Sequence, residues 1–193
     1  MLGVLNMFDS NGEISKIGEF GLSEFFNFSL AKNLEETELF VKVDFNLIRV
    51  YLDIPSLTAS SPDPKAEITI PRGSITTFVP FGKFYIAIAT KEGHIYIFGY
   101  NKAGVRLLSN DKILETIGCM ATNLEGSILT AATMTTFKKT KRILVYSLSG
   151  ETKKPVMLVY LDLFSTPMGM KPNSSFCDIS MSVVNGREVI LAK

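Results

Sequence analysis

The 193-residue chain has no tryptophan, two cysteines and a single histidine. Cys119 and Cys177 are too few for the disulfide framework of a small secreted domain, and they lack zinc-site spacing. With His94 as the only imidazole, Ser–His or Cys–His catalysis would have to pass through that one ring. Net charge is nearly absent: 20 Lys and Arg face 19 Asp and Glu, leaving +1. No global field therefore marks a nucleic-acid or membrane partner. No stretch reaches the roughly 18 apolar residues of a membrane helix. The apolar start Met1–Phe8 meets Asp9 early and carries no basic flank, unlike a secretory signal. Reduced thiols and an intracellular address, cytoplasmic or nuclear, are the resulting expectation. No P-loop or dinucleotide fingerprint occurs, and no long stretch has the 3.6-residue period of an amphipathic helix. At 46% hydrophobic and 20% charged, the chain is not disordered.

What is present is a repeat. Four apolar runs end in an aromatic residue: Val4–Phe8, Leu47–Tyr51, His94–Phe98 and Arg142–Tyr146. Their terminal aromatics lie 43, 47 and 48 residues apart, the period of a four-stranded propeller blade. A second series, Leu39–Val43, Phe84–Thr90 and Ser127–Thr133, precedes the last three runs, and Val189–Ala192 is a fourth copy with no follow-on strand. Ahead of these lie Phe25–Leu30, Ile75–Val79, Ile117–Thr122 and Phe176–Met181. The expected outermost strands are Glu13–Ile17, Ala66–Ile70, Val105–Leu108 and Pro155–Tyr160. Turns are expected at Lys32–Glu36, Phe81–Lys83, Asn123–Gly126 and Asn185–Arg187, where Asn and Gly accept positive φ. The inner runs are nearly all apolar, as suits strands packed on both faces.

These residues resemble the WD40-like β-propeller family. The nearest local likeness is Cys119–Thr133, which looks like the family turn joining the inner strand to its neighbour; Phe8-Asp9 is similar to its aromatic–Asp ending. Phe98-Gly99 and Tyr146-Ser147 depart from that ending. No Gly-His pair precedes the inner strands, so the buried tetrad of such repeats is not expected. The resemblance implies an all-β, WD40-like β-propeller or part of one. Its blades are expected at about 24–72, 73–114 and 115–165, with a split blade from 175–193 and 1–23. The count gives four blade equivalents, at the lower end of the roughly 4–8 that propellers use. Open strand edges aggregate unless something pairs with them. A ring completed by another chain or a second copy is therefore favoured over self-closure.

The chemistry-bearing candidates are few. His94 follows Glu92-Gly93 and is expected as a turn residue; Cys119 and Cys177 are expected as small buried hydrophobes. Glu35-Glu36 falls in a turn, and Phe20, Phe25, Phe26 and Phe28 are expected in core packing. No catalytic residue, metal or cofactor is assigned. The candidate contacts are the basic cluster Lys138, Lys139, Lys141 and Arg142, for a partner or a phosphate. Met168 and Met170 join them from the Asp162–Ser175 loop, and the Pro55–Lys65 loop is equally long. The expected function is a non-catalytic scaffold for protein–protein interaction in a larger complex. The alternative is a phosphoinositide- or nucleic-acid-binding propeller using 138–142. The phosphoinositide-binding propellers of autophagy have a segment similar to Cys119–Thr133, but their Phe-Arg-Arg-Gly motif is absent here.

Overall fold

The computed structural model describes residues 2–8, 14–21, 27–32, 37–52, 64–101, 103–113, 115–123, 125–134, 142–151, 153–162 and 179–192. All regular structure in these segments is β. The strands are β1 (Leu2–Phe8), β2 (Ile14–Gly21), β3 (Asn27–Lys32), β4 (Thr37–Asp44), β5 (Leu47–Leu52), β6 (Ala66–Thr69), β7 (Ile75–Phe81) and β8 (Tyr85–Thr90). They continue as β9 (His94–Asn101), β10 (Gly104–Lys112), β11 (Thr116–Thr122), β12 (Ile128–Met134), β13 (Arg142–Ser147), β14 (Val156–Asp162), β15 (Ile179–Val184) and β16 (Arg187–Ala192). Three four-stranded antiparallel sheets follow chain order: β3-β4-β5-β6, β7-β8-β9-β10 and β11-β12-β13-β14. β1-β2 and β15-β16 are separate two-stranded sheets.

The chain divides into two compact units, Met1–Arg72 with Tyr100–Val105, and Gly73–Gly99 with Arg106–Lys193. In the first, Phe40 and Val41 of β4, Ile48 and Val50 of β5, and Ile68 of β6 are fully or almost fully buried. In the second, the apolar inner runs do what both-face burial requires. Ala87 and Ala89 of β8, Ile95 and Ile97 of β9, and Leu129 and Ala131 of β12 lose all exposure in one cluster. That cluster also holds Leu144 and Tyr146 of β13, with Leu108 of β10 packed against it. A neighbouring cluster joins Ala121, Ala132, Ile143 and Val145 to Ile179, with Met181 and Ile190 alongside. Cys119, partly buried, packs against this second cluster, while Cys177 lies outside the described residues.

The repeat extends to backbone detail. The β7–β8 ladder shifts register between Ile75 and Thr77, and the β11–β12 ladder between Ile117 and Cys119. The bulged residues are Thr76, whose hydroxyl donates to the Ala89 carbonyl, and Gly118. Thr90 is the last residue of β8 and Thr133 the last but one of β12. Their hydroxyls accept the amides of His94 and Arg142, each at 3.1 Å, and so start the third strands. Asn185 and Gly186 both have positive φ, the geometry of the two-residue hairpin turn expected there. Phe25, Phe26, Glu35 and Glu36 lie outside the described residues, as do 55–63 and 163–175 of the two long loops.

Turn β8–β9 is tied to its surroundings on both sides. Gly93 sits at φ +82, its carbonyl accepts the Ile113 amide at 2.8 Å, and the Thr116 hydroxyl donates to the Lys91 carbonyl. A Cβ on Gly93 would collide with the Ile113 carbonyl oxygen and stand 2.9 Å from that of Glu115, both rigid backbone. Gly93→Ala should therefore cost about 1–3 kcal/mol in urea unfolding, from positive φ and the collision together. Burial pushes the Glu92 carboxyl up, but the Ser74 amide at 2.9 Å, its own amide, the Thr90 hydroxyl and Lys91 outweigh it, holding Glu92 below its ordinary 4.5. A depressed folded-state value means the unfolded chain binds this proton first, so the stabilisation is full above 4.5 and is lost as pH falls through the folded value. Glu92→Gln should flatten the acid limb of the urea midpoint against pH, measured from about pH 5 to about pH 3.

Candidate functional site

The expected basic contact divides. Lys138, Lys139 and Lys141 lie outside the described residues, as do Met168 and Met170. Arg142 opens β13 and is already engaged. Its Nη1 donates to Glu115 Oε1 at 2.9 Å, its amide is held by Thr133, and its guanidinium lies 5.6 Å from the centre of the Tyr160 ring. Arg142 Nε is buried without a protein partner, as is the Tyr146 hydroxyl. Burial, then the charges of Asp111 and Glu115, push the Tyr146 phenol far up, so it stays protonated. His94 is also occupied: Nδ1 and Asn110 Oδ1 are 3.1 Å apart, and the ring stacks on Tyr96 at 5.4 Å. Among the described residues, no group of three or more His, Cys, Asp and Glu could hold a metal, and no helix is long and apolar enough to cross a membrane.

The most unusual surface is β14, which among the described residues pairs with β13 alone and so ends its sheet. Val156, Met157, Leu158, Val159, Tyr160 and Leu161 are all exposed, from 42% at Leu161 to 59% at Tyr160. Side chains on a strand alternate between faces, so this run leaves both faces of β14 apolar and uncovered. Its counterpart β10 is different. Leu108 is packed against the core cluster, Val105 and Leu107 are exposed, and Arg106, Ser109, Asn110, Asp111 and Lys112 are polar, so apolar and polar residues are mixed. Val183 and Val184 of β15 and Leu191 of β16 are exposed as well. Contiguous apolar surface with a free backbone edge marks a contact surface or an aggregation site. The sequence carried a signal for this: an unbroken apolar run on the strand expected to be outermost conflicts with a solvent-facing position.

A second feature, in the first unit, went unseen in the sequence. Glu38 of β4 is wholly buried, and its carboxylate accepts from Lys65 Nζ at 2.7 Å and from the Tyr100 hydroxyl at 2.5 Å. Lys65 Nζ also lies 5.9 Å from the Tyr100 ring centre, and Phe40 meets that ring edge-on at 5.6 Å. Burial, then the hydrogen bond to Glu38 and its charge, drive the Tyr100 phenol far above its ordinary value. The carboxylate is sealed from any substrate, so the triad is a fastening rather than an active site. Glu38→Ala strands a buried ammonium and should cost about 3–5 kcal/mol. Tyr100→Phe removes one hydrogen bond to a charge and should cost about 1.5–3 kcal/mol, both read by urea unfolding.

No family model matches the chain, and no curated protein matches it. Among solved structures it resembles the C-terminal WD40 domain of Sif2, with 12% identity and a TM-score of 0.61, over 86% of this chain and 43% of that one. It also resembles Sqt1 of Saccharomyces cerevisiae, with 9% identity and a TM-score of 0.65, over 94% of this chain and 48% of that one. At such identities the likeness shows the fold: an all-β chain of WD40 propeller type, a propeller or part of one. The chain spans less than half the length of the structures it matches.

Proposed function

We propose that this chain is a non-catalytic propeller scaffold inside the cell, a subunit of a larger complex that docks protein through β14. The observation that carries the reading is the run Val156–Leu161, six consecutive exposed apolar residues on an end strand. A free strand edge supplies backbone hydrogen bonds to another strand, and apolar faces on either side supply burial, which is how proteins dock extended segments. Tyr160, half-covered on one side by the Arg142 guanidinium, is the aromatic anchor such an interface needs. A phosphate-bearing ligand would call for unengaged cations, and Arg142 already has Glu115. The protein reading is thus favoured over a phosphoinositide or nucleic acid held by 138–142.

Photo-crosslinking in cells tests this. A photoreactive residue replacing Leu158 should give a discrete protein adduct, and one replacing Arg106 on β10 should not. Tyr160→Asp should reduce the adduct by about tenfold or more, as loss of an interface anchor does. Changing Lys138, Lys139 and Lys141 to Glu should leave it intact; Arg142 is spared because its loss would break the Glu115 pair. No protein adduct at Leu158 overturns the proposal. So does wild-type binding to phosphatidylinositol phosphate vesicles or oligonucleotides that the triple lysine variant loses.

A further inference from the structure

We infer that Met157 is a redox-sensitive modification site, at which a peroxide switches off docking on β14 by converting the thioether to a sulfoxide. The inference rests on the scaffold reading and adds its regulation; it holds whatever protein docks there. The β13–β14 register decides what stands beside the sulfur. Tyr146 is opposite Met157, Leu144 is opposite Tyr160, and directly opposed residues of a ladder share a face. On a regular strand, positions 157 and 160 would face opposite ways. The register shift between Val145 and Tyr146 leaves Leu158 unopposed and brings the two to one face. Leu144 and Tyr146 are buried in the core cluster, whereas Met157 and Tyr160 beside them are 47% and 59% exposed. Val156, Val159 and Leu161 oppose Ser147, Val145 and Ile143 and so lie on the other face. The aromatic anchor thus shares its face with a thioether.

Valine and leucine offer a peroxide nothing to react with; the thioether of Met157 does. Its sulfur lone pair attacks one oxygen of hydrogen peroxide, so an S–O bond forms and the O–O bond breaks. The departing oxygen takes up protons and leaves as water, the sulfur having given up two electrons and the peroxide having received them. Methionine sulfoxide reductase reverses the step with a dithiol, returning the thioether and releasing water and a disulfide. A sulfoxide oxygen is a strong hydrogen-bond acceptor, and covering it with an apolar partner that brings no donor is costly. Exclusion runs both ways: a protein seated on β14 shields the sulfur from peroxide, and an oxidised sulfur repels the protein. Two other methionines serve as internal standards. Met134 of β12 is 44% exposed but lies two strands from β14 in the sheet order, and Met120 of β11 is 7% exposed within the core cluster.

Treating the full chain with hydrogen peroxide and mapping its peptides by mass spectrometry should show Met157 and Met134 each gaining one oxygen while Met120 stays reduced. In cells carrying the photoreactive residue in place of Leu158, peroxide should lower the protein adduct by about tenfold or more. Methionine sulfoxide reductase supplied in excess should restore it. Met157→Gln, whose amide resembles a sulfoxide in polarity, should lower the adduct without peroxide. In Met157→Leu the adduct with peroxide should equal the adduct without it, whatever that variant's own level; Met134→Leu should respond as the native chain does. Oxidation of Met157 no faster than that of Met120 overturns the inference, as does a Met157→Gln adduct at the native level. An adduct that peroxide leaves unchanged, or that falls equally in Met157→Leu, overturns it while leaving the scaffold intact. A native chain that gives no adduct before any peroxide is added sinks both.

Discussion

Close approach of sheet to sheet is the constraint from which the rest of the second unit follows. Ala87, Ala89 and Ala131 lose all exposure, and their small side chains leave room for Ile95, Ile97, Leu144 and Tyr146 to interdigitate from facing sheets. Polar groups that such packing covers are answered locally at several turns. Thr90 and Thr133 answer the first amides of β9 and β13, and Asn123 folds over its own turn to accept from Ser127 and Ile128 while donating to Glu188. Threonine at the end of a strand and asparagine at a turn are consequences of the packing above them.

Much of this architecture was legible because it is local and repeated. Strand positions depend on apolar runs and turn residues a few positions apart, and a period near 45 residues shows each assignment several times over. The Asn185-Gly186 turn and the Asn123–Gly126 turn needed only neighbouring residues to be seen. The Glu38–Lys65–Tyr100 triad was not legible, since its members are 27 and 62 residues from Glu38 and meet only once the sheets are assembled. Each residue alone has an ordinary solvent-facing explanation. Arg142 shows the reverse case. In the sequence it is the end of a basic string, whereas in space Glu115, 27 positions earlier, takes its charge and Tyr160 its face.

The outermost strands β10 and β14 differ in the surface they present. Among the described residues both are outermost strands that pair on one side. β10 interleaves exposed Val105 and Leu107 with Arg106, Asn110 and Lys112, and such charged and polar residues blunt an edge against chance pairing. β14 meets solvent with valine, methionine, leucine and tyrosine, a composition that solvent alone does not stabilise.

The absence of tryptophan turns the buried phenols into an optical record of the fold. Of the six tyrosines, Tyr51, Tyr96, Tyr100 and Tyr146 are all at most 4% exposed. With no indole to mask them, near-ultraviolet dichroism and intrinsic emission come from rings locked in fixed, asymmetric surroundings. Tyr100 is coloured further by the carboxylate that accepts its proton. Loss of the packed surroundings on unfolding can thus be followed with no label attached.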